Sequence, residues 1–221
     1  VGAAFGYTIT SDGGAGSVTG AGTVASADQA VAGIDVAALP DGTLTLALTL
    51  TDPAGNAAPA VSDTVAKDTA LPGATVATAA ADPTNASPIV FSIVFSEPMT
   101  GAALTAGALT VTNGTAANLT TADAITYTVE VTPAADGPVS LEVPAGAAQS
   151  AAFNPNAASN LASVTHDATA PAGHGVAWTT DPVNAGNMMA AGFGLSAAEV
   201  GAAYGYTITS DGGAGSVTGA G

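Results

Sequence analysis

The sequence predicts an all-β protein made of tandem antiparallel β-sandwich domains. Thr, Val, Ala and Gly dominate it, and aromatic residues make up only 5% of the chain. Branched side chains pack well on a pleated surface, so Thr and Val favour strands. Gly, Pro, Asn and Asp recur at short intervals and supply turns. No long run of helical periodicity connects the predicted strands, which argues against a parallel α/β fold.

Three segments alternate strictly between apolar and small or polar residues. Their apolar sets are Leu44, Leu46, Leu48 and Leu50; Ile89, Phe91, Ile93 and Phe95; and Ile125, Tyr127, Val129 and Val131. Alternation with a period of two places one set in the core of a sandwich and the other toward water. We therefore expect each of these sets to be a core face.

The chain contains an internal repeat of 199 residues. Residues 1–22 and 200–221 are identical at 21 of 22 positions, with Phe5 standing opposite Tyr204. The period divides again, because DTALP at 68–72 matches DATAP at 167–171 and DPTNA at 82–86 matches DPVNA at 181–185. The half-period of roughly 100 residues is the size of one β-sandwich domain.

These repeats predict three parts of the chain. Residues 72–171 form a complete domain of one type (type B). Residues 172–221 form the N-terminal part of the other type (type A), and residues 1–71 form its C-terminal part. We expect the 221 residues to be one unit of a longer array. The alternative is a polymer in which residues 172–199 of one chain complete residues 1–71 of the next by strand donation.

The charge is strongly negative. Thirteen Asp and four Glu stand against one basic residue, Lys67, and the net charge is −16. This charge repels phosphates, so nucleic acids and acidic membrane surfaces are excluded as electrostatic partners. The acidic residues serve either solubility or cation binding. The chain has no cysteine, hence no disulfides, and its apolar run at 188–198 is too short to insert into a membrane.

Several motifs resemble the bacterial immunoglobulin-like (Ig-like) tandem repeats of giant adhesins and biofilm-associated surface proteins. They are VFSEPMTG at 94–101, ITYTVEVTPAADG at 125–137 and, in type A, DGTLTLALTLTDPAGN at 41–56. The resemblance implies tandem Ig-like domains in an extracellular, cell-surface protein. It implies a non-enzymatic role as a stalk or fibre spacer, with neighbouring repeats as the partners.

The same resemblance implies Ca²⁺ at domain junctions. Ca²⁺ takes six to eight oxygen ligands, including carboxylates and backbone carbonyls. The candidate ligands are the acidic and amide residues near the predicted junctions and early in each domain: Asp52, Asn56, Asp68, Asp82, Glu97, Asp167 and Asp181. Type B departs from the pattern, because Ser150 stands where type A has Asp52. The alternative interpretation is that these residues only stabilise turns.

Two other functions stay open at this stage. One is an adhesive module that recognises a glycan or a protein, and the other is a self-assembling extracellular filament subunit. Trp178 is predicted to pack in a core or at a junction. His166 and His174 are predicted to be exposed linker residues, since His166 takes the position of Lys67 in the other half.

Overall fold

A computed structural model describes residues 2–221 of the protein. Within this range the chain consists of strands, loops and a single 3₁₀ turn at Ala106–Ala108. Every paired strand runs antiparallel to its neighbours. The all-β prediction is therefore confirmed. No helix among these residues is long and apolar enough to cross a membrane.

The chain separates into two compact units, residues 1–167 and 168–221. The predicted domain boundaries at 71/72 and 171/172 stay predictions. The first unit begins with one four-stranded sheet (the type A sheet), which has the strand order β2-β1-β3-β4. Its strands are β1 (Ala4–Ser11), β2 (Ser17–Thr23), β3 (Gly42–Thr51) and β4 (Val61–Lys67).

A two-sheet sandwich follows in the same unit. One sheet has the order β5-β6-β9-β8 and the other the order β11-β10-β7. The strands are β5 (Ala74–Thr78), β6 (Ile89–Phe95), β7 (Thr110–Thr112), β8 (Gly114–Thr121), β9 (Thr126–Pro133), β10 (Gly137–Glu142) and β11 (Ala162–His166). The alternating residues predicted for β6 form its core face, since Ile89, Phe91 and Ile93 are fully buried.

The prediction for β3 holds only at one end of the strand. Leu44 is buried with Ile9 and Leu39, but Leu50 is 40% exposed. The leucines do share one face of the type A sheet. They differ in burial because residues 34–39 cover only the end of that face near Leu44.

The second unit contains two hairpins. One pairs β12 (Gly175–Trp178) with β13 (Phe193–Ser196), and the other pairs β14 (Gly205–Thr209) with β15 (Ser216–Ala220). The second hairpin repeats the sequence of β1 and β2. Its register is the same as well, because Tyr206 lies opposite Gly219 as Tyr7 lies opposite Gly20.

Candidate junction sites

The chain enters and leaves the sandwich of β5–β11 at opposite ends. The side-chain amide of Asn160 accepts from the Val76 N–H at 2.9 Å and donates to the Val76 carbonyl at 2.8 Å. Further along, Thr84 forms a parallel bridge with His166. The segment from 76 to 84 therefore runs beside the segment from 160 to 166 in the same direction. We call the end near residue 70 the leading pole and the end near residue 167 the trailing pole.

The leading pole is held by contacts between the incoming chain and the loop at 150–157. The Asn154 side chain donates to the Asp68 carbonyl at 2.9 Å, and the Ala157 N–H donates to the Pro72 carbonyl at 2.8 Å. One carboxylate oxygen of Asp68 accepts from the Ala70 N–H at 3.1 Å. Glu97 is half-buried in the turn that follows β6. Two of the predicted ligands therefore belong to this pole.

Asp52 and Asn56 form a closed turn after β3. One carboxylate oxygen of Asp52 accepts from the N–H groups of Ala54 and Asn56, and the other accepts from the Asn56 side chain at 2.8 Å. The Asn56 side-chain amide is the main reason that the pKa of Asp52 lies below its ordinary value, and backbone N–H donors add to it. These bonds are the ones expected of an Asp that stabilises a turn.

The loop at 150–154 repeats this turn in the other domain type. The Ser150 N–H donates to the Asn154 carbonyl at 3.0 Å, as the Asp52 N–H donates to the Asn56 carbonyl at 3.0 Å. Phe153 adopts φ 63°, where the type A turn has Gly55 at φ 93°. Ser150 lacks the carboxylate, so the type B loop keeps the backbone geometry but has no anionic oxygen.

The trailing pole contains Asp82 and Asp167. The Asp82 carboxylate accepts from the Thr165 N–H at 3.0 Å, and the Asp167 N–H donates to the Thr84 carbonyl at 2.9 Å. The prediction that His166 is exposed is wrong, because only 7% of this residue is accessible. Its Nδ1 lies 3.4 Å from Asp136 Oδ1 without hydrogen-bond geometry. The last residue of β11 points inward, as the alternation of that strand requires.

Sequence reasoning missed a group of residues that fixes the end of the type A sheet to the chain leading into type B. The Asp41 carboxylate accepts from the Thr69 N–H at 2.9 Å and lies 3.5 Å from Lys67 Nζ. Lys67 also donates to the Leu39 carbonyl. The His166–Asp136 pair occupies the equivalent place in type B. The sequence signal that could have revealed these two pairs is the Asp-Gly dipeptide, which occurs at 41 before β3 and at 136 before β10.

Replacing Asp41 by alanine is expected to lower the melting temperature at pH 7. The Thr69 N–H is the main reason that the pKa of Asp41 lies below its ordinary 3.8, and the Thr69 hydroxyl and Lys67 add to this effect. A carboxylate with a lowered pKa stabilises the fold at pH values above its unfolded pKa, and the stabilisation is lost as the pH falls through the folded pKa. The effect of Asp41→Ala should therefore shrink below pH 3.8.

Thermal unfolding of the full chain at pH 7 and near pH 3 tests this expectation. Asp28→Ala is the matched control, because Asp28 is exposed in the loop before β3 and its carboxylate has no hydrogen bond in the described structure. A loss for Asp41→Ala that is the same at both pH values would contradict the role of the charge.

The remaining candidate, Asp181, lies in the second unit, exposed in the loop after β12. Within residues 2–221, no three or more His, Asp or Glu side chains gather where they could hold a metal ion. The structure thus brings Asp52 to Asn56, places Asp68 and Glu97 at one pole, and places Asp82 and Asp167 at the other. These carboxylates do not by themselves form the oxygen shell that Ca²⁺ requires.

The two packed antiparallel sheets, with loops gathered at two poles, define an Ig-like β-sandwich. The sequence profile of the bacterial Ig-like domain matches residues 68–168 of the chain. A crystal structure of a tetra-tandem repeat in the extending region of a large adhesion protein is similar at 24% identity and a TM-score of 0.35. That similarity covers 99% of this chain and 55% of the other, so the chain spans about half its length. No curated protein matches.

Proposed function

We propose that the chain is a spacer in the stalk of a bacterial cell-surface adhesin or matrix fibre, without enzymatic activity. The observation that carries the proposal is the placement of the leading and trailing poles at opposite ends of the 68–168 domain. A domain with this geometry adds its own length to the chain, whereas a domain with both ends at one pole adds little. Each further 199-residue period would then increase the length of the stalk by the same amount.

Small-angle scattering on chains of one, two and three periods tests the spacer role. Each period is expected to contain two sandwich domains, and a strand of eight residues spans about 26 Å. We expect the maximum dimension to increase linearly, by at least about 50 Å for each added period. A dimension that grows much more slowly than the number of periods would show that the repeats fold back on each other and would contradict the spacer role.

Calcium at the junctions is a further part of this proposal. Each pole of the 68–168 domain carries carboxylates, and a neighbouring repeat would bring additional oxygens to the same place. Asp68 supports this assignment, because its backbone carbonyl accepts from the Asn154 side chain and its carboxylate accepts from the Ala70 N–H where type A joins type B. A complete shell would combine these carboxylates with backbone carbonyls of both domains.

A calcium titration of a two-period chain tests this part. For a dissociation constant of about 1 mM, which is typical of extracellular modules, about 10 mM Ca²⁺ stabilises the folded state by about 1.4 kcal/mol. Asp68→Asn should remove most of this gain, while Asp28→Asn should keep it. A melting temperature that does not respond to Ca²⁺ would contradict the calcium assignment without affecting the spacer role.

A binding module is the second candidate, and a cleft in the second unit favours it. The cleft has a volume of about 580 Å³ and is lined by Trp178, Phe193, Tyr204 and Tyr206 among others. Aromatic faces of this kind can stack on sugars. Quenching or a shift of the Trp178 fluorescence by a panel of soluble glycans would support this function, and an unchanged spectrum would speak against it.

A further inference from the structure

The type A sheet has one apolar face. Residues directly opposite each other in an antiparallel pair project to the same side of the sheet. Tyr7 lies opposite Leu48, and Leu48 lies opposite Val61 on the next strand. By this register the apolar residues of the face are Phe5, Tyr7, Ile9, Val18, Leu44, Leu46, Leu48, Leu50, Val61 and Val65, and Asp63, opposite Leu46, projects from the same face.

Only one end of this face is covered. Ile9, Leu39 and Leu44 are buried there, with Ile34 and Val36 packed against them. Toward the other end and along the edge strand β4, Leu50 is 40% exposed and Val61 and Val65 are each 64% exposed. A sheet whose mostly apolar face is this open lacks the second layer that a sandwich requires.

The second unit shows what covers this face when the same strands recur. β14 and β15 repeat β1 and β2, so Tyr204 corresponds to Phe5 and Tyr206 corresponds to Tyr7. Phe193 of β13 packs edge-on against Tyr206, with ring centroids 5.0 Å apart, and against Tyr204 at 6.4 Å. The hairpin of β12 and β13 is therefore the layer that lies on this face.

That hairpin also has apolar side chains that remain exposed to solvent. Val176 pairs with Leu195 and Trp178 pairs with Phe193, so all four side chains project from one face. Val176 is 71% exposed, Trp178 50% and Leu195 44%. Within the second unit, the sheet beneath them has only the two strands β14 and β15. In the type A sheet, β3 and β4 extend the sheet beyond β1, and in the second unit no equivalent strands lie beside β14.

We propose that the hairpin Gly175–Ser196 from a second copy of the period docks on the apolar face of the type A sheet and completes its sandwich. Val176, Trp178 and Leu195 of the hairpin would cover Leu48, Leu50 and Val61. The four-stranded sheet offers the hairpin the surface that β14 and β15 provide plus the leucines of β3, so docking buries more apolar area. Asp63 lies opposite Leu46 on the same face, and because β4 is the edge strand its carboxylate can remain hydrated at the rim of the interface.

The interface explains the order of the sequence. Residues 172–199 stand directly before residues 200–221, which repeat residues 1–22. A copy of 172–199 placed directly before Val1 thus reproduces a connection that the chain already contains. This inference does not depend on the spacer role, since a fibre can be extended whether or not its repeats share a layer.

A chain with a copy of residues 172–199 fused before Val1 tests the interface. The protein has no cysteine, so Val61→Cys introduces a unique thiol on the open face. We expect this thiol to react with an alkylating reagent at least about tenfold more slowly in the extended chain than in the 221-residue chain, because burial of a thiol limits the access of the reagent.

Two controls make the result specific. Thr64→Cys places the thiol on the opposite face of β4, and its reaction rate should be the same in both chains. The change Phe193→Ser in the added copy alone should restore most of the Val61→Cys reactivity. Equal reactivity of the Val61→Cys thiol with and without the extension would overturn the interface. Protection that persists with the Phe193→Ser copy would also overturn it, because another element would then cover the face.

Discussion

Replacing Phe91 by alanine is expected to lower the free energy of unfolding of the 68–168 domain by about 3–5 kcal/mol. Phe91 lies at the centre of β6, is fully buried, and packs in the core shared by the two sheets. Its removal forfeits the burial of a large apolar side chain and leaves a cavity that the surrounding strands can close only in part. Hydrogen exchange of the β6 and β9 amides in the full chain measures the loss.

Val90 provides the matched control for this prediction. It neighbours Phe91 on the same strand but points to the opposite face and is 52% exposed. Val90→Ala should change the free energy of opening by no more than about 0.5 kcal/mol. If the two variants destabilised β6 and β9 equally, Phe91 would not be the core residue that the structure shows.

Replacing Asn156 by alanine is expected to cost about 2–4 kcal/mol, although the residue is polar and lies in a loop. Asn156 is only 2% exposed. Its side-chain oxygen accepts from the Ala148 N–H at 2.8 Å, and its amide donates to the carbonyls of Pro144 and Ala157. Alanine would leave these buried backbone groups without partners, and an unsatisfied buried group costs about 1–3 kcal/mol.

The loop from 144 to 157 should open first in this variant, because these three bonds tie its two sides together. Proteolysis and hydrogen exchange of the full chain would detect the opening at the leading pole. Asn85→Ala is the control, since Asn85 is exposed and its side chain makes no hydrogen bond in the described structure. An Asn156→Ala variant as resistant to protease as the Asn85→Ala control would refute this account of the loop.

The sequence predicted the fold class because its main signal is local. Alternation along 89–95 and 125–131 depends only on neighbouring residues, and it correctly places Phe91, Ile93 and Val129 in the core. The repeat of 199 residues likewise predicted that β14 and β15 would match β1 and β2, as they do. Such features need no knowledge of distant contacts.

Burial that depends on distant segments could not be predicted in the same way. Alternation along β3 shows which face is apolar, but it does not show that the cover ends before Leu50. The prediction for His166 failed for a related reason. Its neighbours 167–171 read as a linker, while its place in β11 turns the imidazole inward beside Asp136.

The candidate ligands show a further limit of sequence reasoning. Asp52 and Asn56 fit a calcium site and a turn equally well in the sequence, because both uses need oxygen atoms near a tight backbone. In the structure the Asp52 carboxylate accepts three local hydrogen bonds. Asp41 was not among the candidates, although its carboxylate links the end of the type A sheet to Thr69 in the chain that leads into type B.

The distance between the two poles of the 68–168 domain tests the central claim most directly. Because the protein has no cysteine, Ala70→Cys with Thr165→Cys allows two spin labels on exposed positions of the full chain. Pulsed electron resonance should give a single distance of at least about 25 Å, the length of about eight extended residues. A distance of about 15 Å or less would place both ends at one pole and contradict the spacer geometry.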